Sequence, residues 1–375
     1  MLYLDHAATT PVKPEALKAA WPYLTEEYGN PSSVHESGLR AKAALNWARE
    51  TCADFLGANP EEIYFTSGAT EANNLAIQGI ALANPRGRHI VSSPTEHEAV
   101  LQTLRFLERV HGFEVTLLPV AVDGSIRAED LRAALRPDTT LATLMVANNE
   151  IGTIHPIAEF ADIAAEFGVP FHTDSVQAVG WLPLDVSALG VQALSISGHK
   201  FGAPKGSGLL YLKAGVEAEP LIHGGGQEGG LRSGTQNVAW AVALGVALQT
   251  LVNNASEVAA VTADFIAAVL TEFPTSSLTG ADPTSGKRHP AIASFTFNGL
   301  NGETLLLELE NAGVTCSSGS ACAAGSDEPS HVLKALGLAE DTCQTAVRFS
   351  FGHDASSEQA EQALTALRTA MRRLG

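Results

Sequence analysis

Hydrophobic and polar positions along this 375-residue chain change period many times, and the changes mark out its elements. Residues 14–24 and 36–56 read as helices; the second carries Leu39, Ala43, Leu45, Ala48 and Phe55 at spacings that include three and four. From there short apolar runs alternate with helical stretches. Strands are expected over 62–66, 89–92, 113–118, 140–146, 170–173, 193–196 and 208–212. Helices are expected over 72–82, 98–111, 128–135, with Ser125 a candidate cap, and 156–167. Strands separated by helices imply βαβ units, an α/β fold and a mainly parallel sheet. Ligands of such sheets sit beyond the carboxyl ends of the strands, which points to the turns after Thr66, Val146 and Thr173. After Gly224-Gly225-Gly226 the pattern shifts to a helix-rich stretch over 239–270 and a Gly-, Ser- and Pro-rich surface loop over 275–287. Strands over 292–297 and 346–351 and helices over 302–311, 331–336 and 357–374 then make a small α+β unit.

Composition narrows the picture. The length suggests a large domain plus a smaller one. A net charge of −18 and 6% aromatic residues argue against nucleic acid or an anionic membrane as the main partner. Four cysteines, Cys52, Cys316, Cys322 and Cys343, make neither a disulfide framework nor a zinc site, so no metal is expected. The N-terminus lacks a signal-peptide pattern and no apolar run is long enough to span a membrane. The chain reads as soluble, reduced and cytoplasmic.

The chemistry gathers around Ser197-Gly198-His199-Lys200, a Gly-punctuated turn after an apolar strand. A lysine against an apolar wall loses proton affinity and becomes a nucleophile able to form a Schiff base with an aldehyde cofactor such as pyridoxal phosphate; the alternative is a surface lysine. Asp174, one βα unit upstream, is the acid such a cofactor needs to keep its pyridine nitrogen protonated. Ser67-Gly68-Ala69-Thr70 joins a strand to a helix and offers an anion site, or else Thr70 simply caps the helix. Ser197 and His199 are placed to donate to the same phosphate. His97 is either a cap or a ring that stacks on a flat cofactor. Asn149 can orient an oxygen, and Arg348 on a late apolar strand is either an amino-acid carboxylate's partner or part of an internal salt bridge. Cys322 lies within a run of Ser, Gly and Ala that offers no apolar surface to bury a thiol, which suggests a nucleophile delivered by a loop.

Together these segments resemble the NifS/IscS-like cysteine desulfurases, of the class V aminotransferase family of fold-type I pyridoxal enzymes. The match runs from Leu4-Asp5-His6-Ala7-Ala8-Thr9-Thr10 and Gly29-Asn30-Pro31-Ser32-Ser33 through Thr66-Ser67-Gly68-Ala69-Thr70-Glu71, Asn148-Asn149-Glu150-Ile151-Gly152, His172-Thr173-Asp174 and Ser197-Gly198-His199-Lys200. It continues through Arg232-Ser233-Gly234-Thr235 to Ser318-Gly319-Ser320-Ala321-Cys322. The resemblance implies a large domain over 14–255 with a seven-stranded sheet. It also implies a small α+β domain over 1–13 and 256–375, carrying a catalytic loop at about 316–329. It implies a homodimer using pyridoxal 5'-phosphate, with Lys200 tethering the cofactor, Asp174 on its pyridine nitrogen, Gln177 on its phenolic oxygen and His97 on its ring. Ala69, Thr70, Ser197 and His199 would hold the phosphate, with Thr235 contributed by the partner subunit, while Asn149, Arg348 and Asn30 would bind substrate. L-cysteine would become L-alanine, with Lys200 moving the α-proton, His97 managing the thiol proton and Cys322 taking the sulfur as a persulfide. The sulfur would pass to an acceptor protein for iron–sulfur assembly or tRNA thiolation. A selenocysteine lyase, a class V aminotransferase, or a sulfur carrier with a vestigial site are the rival readings. Phe201 stands where the family usually has tyrosine, Cys316 is extra, and the chain ends soon after its last helix, which leaves open the docking that a longer tail serves in housekeeping members.

Overall fold

A computed structural model of the chain describes residues 1–83, 86–318 and 329–375. The N-terminal strand β1 (Leu2–Tyr3) belongs, by pairing, to the far end of the chain. The larger sheet has seven strands, in the order β2 (Ile63–Thr66), β8 (Gly208–Leu212), β7 (Ala193–Ser197), β6 (Phe171–Asp174), β5 (Thr139–Thr143), β3 (His89–Ser92) and β4 (Glu114–Leu117). Strands β7, β6, β5, β3 and β4 run parallel; β8 is antiparallel to both of its neighbours. Helices α1 (Pro14–Thr25), α2 (Glu36–Leu56), α3 (Ala69–Ala83), α4 (Glu98–His111), α5 (Ala128–Ala134), α6 (Ile157–Glu166), α7 (Val186–Leu189) and α8 (Val238–Gln249) belong to the same body.

Every residue of β3, β5, β6, β7 and β8 is buried, as expected for strands covered on both faces. Their polar residues satisfy one another. His172 shares one ring nitrogen with Thr143 Oγ1 at 2.8 Å and the other with Ser195 Oγ at 3.0 Å, and His89 bridges Thr139 and Thr116. Helix α8 is apolar on nearly every side, because it is wedged between α1, α2 and the sheet.

The second body has a three-stranded antiparallel sheet, β12 (Ala346–Ser350), β10 (Ile292–Phe297) and β9 (Ser276–Leu278). Helices α9 (Ala255–Glu272), α10 (Gly302–Asn311) and α13 (Ser357–Leu374) cover it, and α11 (His331–Ala335) and α12 (Glu340–Cys343) lie beside it. Phe265 packs edge-on against Phe349, Phe351 and Phe295 at centroid distances of 5.1, 5.6 and 6.2 Å. Strand β11 (Val314–Thr315) pairs in parallel with β1, and Leu4 joins this core, so the first residues of the chain are built into its last third.

Three local expectations are corrected. The stretch 275–287 is not wholly loop: it contains β9, held on β10 through Leu278 and Ser277. Ser125 does not cap α5; its hydroxyl donates to Asp123 at 2.6 Å, and Arg127 takes the cap position. Strand β5 ends at Thr143; beyond it the Leu144 and Val146 amides still donate to His172 O and Asp174 O of β6, while the Met145 amide between them turns to the Glu96 carboxyl.

Burial pushes His172 down to about 3 and His289, which bridges the two bodies by donating to the Gln177 carbonyl at 2.8 Å, to about 4. The unfolded chain takes up these protons near pH 6.5, whereas the fold resists them until about pH 3 to 4, so stability present above pH 6.5 is lost on acidification. The unfolding free energy in urea should therefore be flat between pH 7 and 8 and fall steadily from 6.5 to 4; a flat profile down to pH 4 would contradict this.

Candidate active site

Turns at the carboxyl ends of β2, β3, β5, β6 and β7, together with Arg348 from β12, enclose a cavity of about 1100 Å³. This is where an open α/β sheet places its ligands. Lys200 enters from a single helical turn, Gly198–Lys200, that follows β7. Its ammonium donates to the carbonyls of Ala7 (2.5 Å) and Ala8 (2.8 Å). The expected apolar wall is thus replaced at the amine by two carbonyls, supplied by an N-terminal strap. The strap lies in place because the Thr10 amide and hydroxyl both donate to His199 O at 2.9 Å, and Lys13 N donates to Gly202 O at 2.8 Å.

Asp174, buried at the end of β6, accepts from Asn73 Nδ2 at 2.6 Å and from Val176 N at 3.0 Å. Asn73 is fully buried on α3 and went unnoticed in the sequence, since nothing in the pattern shows which side chain a helix turns toward a distant strand. Gln177 lines the cavity, with its amide nitrogen donating to Ala7 O at 3.0 Å.

Helix α3 starts at Ala69, three residues before the sequence suggests, so its first turn faces the cavity. Thr70 lies inside that turn and does not cap it. Gly68 precedes it with φ +150, and a Cβ on Gly208 would stand 2.6 Å from Gly68 Cα, so two glycines let the β8 and α3 backbones meet. Glu71 accepts from Ser67 N at 3.0 Å, from the Ser67 hydroxyl at 2.5 Å and from Arg232 at 2.7 Å. Burial alone would raise its carboxyl; the bonds from Arg232 and Ser67 outweigh burial and hold it below the usual carboxylate range. Ser197 and His199 share this end of the cavity with Ala69 and Thr70. His199 is pushed down to about 4 by burial, with the Lys200 and Lys205 charges adding, and pairs with the Thr9 hydroxyl at 3.1 Å; its ring is neutral at pH 7.

His97 is a cap, its Nδ1 accepting from Ala99 N at 3.0 Å at the start of α4, and the residue also lines the cavity. The capping bond leaves Nε2 as the nitrogen that carries the ring proton. Arg348 is in the internal salt bridge that is one of its two readings, and it also lines the cavity. Only 1% exposed, it pairs with Asp5 at 2.7 Å, donates to Ser317 Oγ at 2.8 Å and to the Asn149 carbonyl at 2.7 Å, and still borders the cavity beside Asn149.

Two expected residues are not brought to this cavity. Asn30 is exposed in the turn before α2, its side chain accepting from Ser32 N at 2.9 Å. Thr235 is exposed in the loop before α8. Cys322 lies outside the described residues. Cys316 follows β11, half-buried against the second core, where burial, with the Asp5 charge adding, pushes its thiol far above the ordinary range. Among the described residues no group of three His, Cys, Asp or Glu side chains could hold a metal ion, and no helix is long and apolar enough to cross a membrane.

The family described as aminotransferase class-V matches residues 2–363. A cysteine desulfurase IscS of Methanosarcina thermophila is 46% identical over 367 residues, 97% of this chain and 90% of its own. The cysteine desulfurase of Homo sapiens is 43% identical over 369 residues, covering 96% of this chain and 79% of its own. Among solved structures, a NifS-like protein superposes with a TM-score of 0.90 at 33% identity over the whole of both chains. A structure described as SspA in complex with cysteine gives 0.83 at 39% identity, covering 94% of this chain and 99% of that one.

The buried Asp5–Arg348 pair generates a test of the site's construction. Replacing Asp5 by Ala strands a guanidinium that has almost no access to water, and should lower the unfolding free energy by about 3 kcal/mol. Equilibrium urea denaturation checks this; a loss below about 1 kcal/mol would mean that the bonds to Ser317 and Asn149 suffice.

Proposed function

We propose that this chain, which belongs to the aminotransferase class-V family, is a pyridoxal-phosphate-dependent cysteine desulfurase that converts L-cysteine to L-alanine and takes the sulfur onto Cys322. The observation that carries the reading is the convergence of Lys200, Asp174 and the first turn of α3 on one cavity. That donor set fits the cofactor. Lys200 is the amine for its aldehyde, and Asp174, oriented by Asn73, is the acid for its pyridine nitrogen. The Gly68–Gly208 approach leaves a cradle at a helix N-terminus for its phosphate, with Ala69, Thr70, Ser197 and His199 around it. When bound, pyridoxal phosphate supplies an electron sink that makes the substrate's α-proton removable.

The chain's own groups supply the rest. Asn149 and Arg348 hold the substrate carboxylate; because Asp5 already neutralises part of Arg348, the pocket suits a single carboxylate. Gln177 orients the cofactor's phenolic oxygen, and His97 stacks on the ring and presents its Nε2 proton to the cavity. Lys200, once freed, accepts the α-proton at Nζ and returns it. Cys322 acts as thiolate: its sulfur bonds to the substrate sulfur as the carbon–sulfur bond breaks. The carbon skeleton keeps the electron pair and leaves as alanine after protonation, with the persulfide on Cys322. An acceptor protein for iron–sulfur assembly or tRNA thiolation then removes the outer sulfur.

The chain would act as a homodimer. Thr235 is exposed and is not among the residues that line its own cavity, a placement that suits service to a phosphate in a second subunit. Trp21, Leu24, Tyr28 and Val34, exposed at 60, 48, 79 and 91%, form an apolar face for such a contact. We assign the large domain to residues 14–255 and the small one to 1–13 and 256–375.

Incubation of the reconstituted protein with L-cysteine tests the reading. Alanine should form, with one protein-bound persulfide per alanine in a single turnover; no alanine would sink the assignment. Mass spectrometry should find the first persulfide on Cys322. Cys322→Ala should abolish desulfuration but not cofactor binding, while Cys316→Ala should keep most of the activity. Early label on Cys316 would reverse these roles. Lys200→Ala should still bind pyridoxal phosphate and lose alanine formation. Asp174→Asn should lower turnover by several orders of magnitude, because a neutral pyridine is a poor sink.

A further inference from the structure

His97 reaches the cavity from a turn, residues 93–97, that has no regular structure of its own. Three bonds from other parts of the chain hold this turn. Asn148 Nδ2 donates to Thr95 O at 2.8 Å, His331 Nε2 donates to Glu96 O at 2.9 Å, and Met145 N donates to the Glu96 carboxyl at 2.8 Å. The third is unusual. Glu96 is fully buried although its sequence neighbours His97 and Glu98 both line the cavity. Its side chain therefore points beneath the site while theirs point into it.

We infer that Glu96 is a positioning residue for the reaction: its carboxyl ties the turn that presents His97 to Met145, two residues past the end of β5, and so fixes the histidine relative to Asp174. The inference rests on the proposed function for the word reaction, but its geometry does not.

The form in which Glu96 works follows from its surroundings. Its Oε1 has one backbone donor, its Oε2 has no hydrogen-bond partner among the described residues, and no cation is paired with it. An ion so placed would be strongly disfavoured. Burial raises its carboxyl well above the ordinary range, with the Asp174 charge adding to the effect. Both effects favour the neutral acid, and what Glu96 contributes is an acceptor for Met145 N. A neutral amide of the same shape supplies that acceptor equally well.

The experiment compares Glu96→Gln with Glu96→Met, the latter keeping length and apolar fit while removing the acceptor; thermal midpoints show whether Glu96→Met is simply unfolded, in which case Glu96→Leu replaces it, and a Glu96→Gln protein that does not fold counts against the inference. Two readouts are taken on protein reconstituted with pyridoxal phosphate. The first is kcat for alanine formation from L-cysteine and its pH profile. Misplacing a group by about an ångström can cost about 100-fold in rate, so Glu96→Met should lose about 10- to 100-fold in kcat with KM little changed. Glu96→Gln should stay within about threefold of wild type with the same pH profile. The second is the visible circular dichroism of the bound cofactor, which reports how its ring sits beside His97 and needs no turnover. It should weaken in Glu96→Met and recover in Glu96→Gln.

If Glu96→Gln loses as much as Glu96→Met, Glu96 acts through its charge or its proton and the inference is wrong. If Glu96→Met matches wild type in both readouts, Glu96 positions nothing. A wild-type protein that makes no alanine overturns the proposed function, and the dichroism comparison then decides the positioning claim alone.

Discussion

The hydrogen bonds from Lys200 to the Ala7 and Ala8 carbonyls are the constraint on which the rest of the site depends. An ammonium needs acceptors when it leaves water, and here the N-terminal strap supplies two. The same strap takes Gln177 on Ala7 O, His199 through Thr9 and Thr10, and Arg348 through Asp5. It is anchored in turn by β1 pairing with β11, by Leu4 in the second core, and by Ala7 N donating to Ser350 Oγ at 2.9 Å. Lysine and arginine are therefore fixed relative to each other by a dozen residues at the very start of the chain. A cavity built this way spans both bodies of the molecule, and neither could form it alone.

Much of the frame was legible in the sequence because it obeys local rules. Helix α2 was readable end to end, closing at Gly57, whose left-handed conformation suits a residue without a side chain. The buried strands of the parallel sheet stand out as short apolar runs, and the Lys200 turn as small residues after one of them. What was hidden is what tertiary contact decides. Strands β1 and β11 are two residues each and find each other across the whole chain, and β9 is a strand only because β10 offers it an edge.

The site divides in the same way. Lys200, Asp174, His97, Thr70 and Arg348 carry chemistry that their residue types announce. Asn73, Glu96 and the Glu71–Arg232 pair act through partners about 50 to 160 residues away, and no spacing rule selects them. Arg348 and His97 are instructive because a structural role does not remove either from the site: one is an ion-pair member that still borders the cavity, the other a helix cap that still lines it. Structural and functional roles compete for atoms, not for residues. His97 uses Nδ1 for the fold while its ring lines the cavity, and Arg348 gives donors to Asp5, Ser317 and Asn149 while also lining it.

The central claim is that Lys200, among all the lysines, is the amine that carries the cofactor. Borohydride reduction of the reconstituted protein, followed by digestion and peptide mass spectrometry, tests it most directly. The account predicts a pyridoxyl group on Lys200 at close to one per chain. Its appearance on Lys13 or Lys205 instead, or a protein that binds pyridoxal phosphate yet leaves every lysine unmodified, would contradict it.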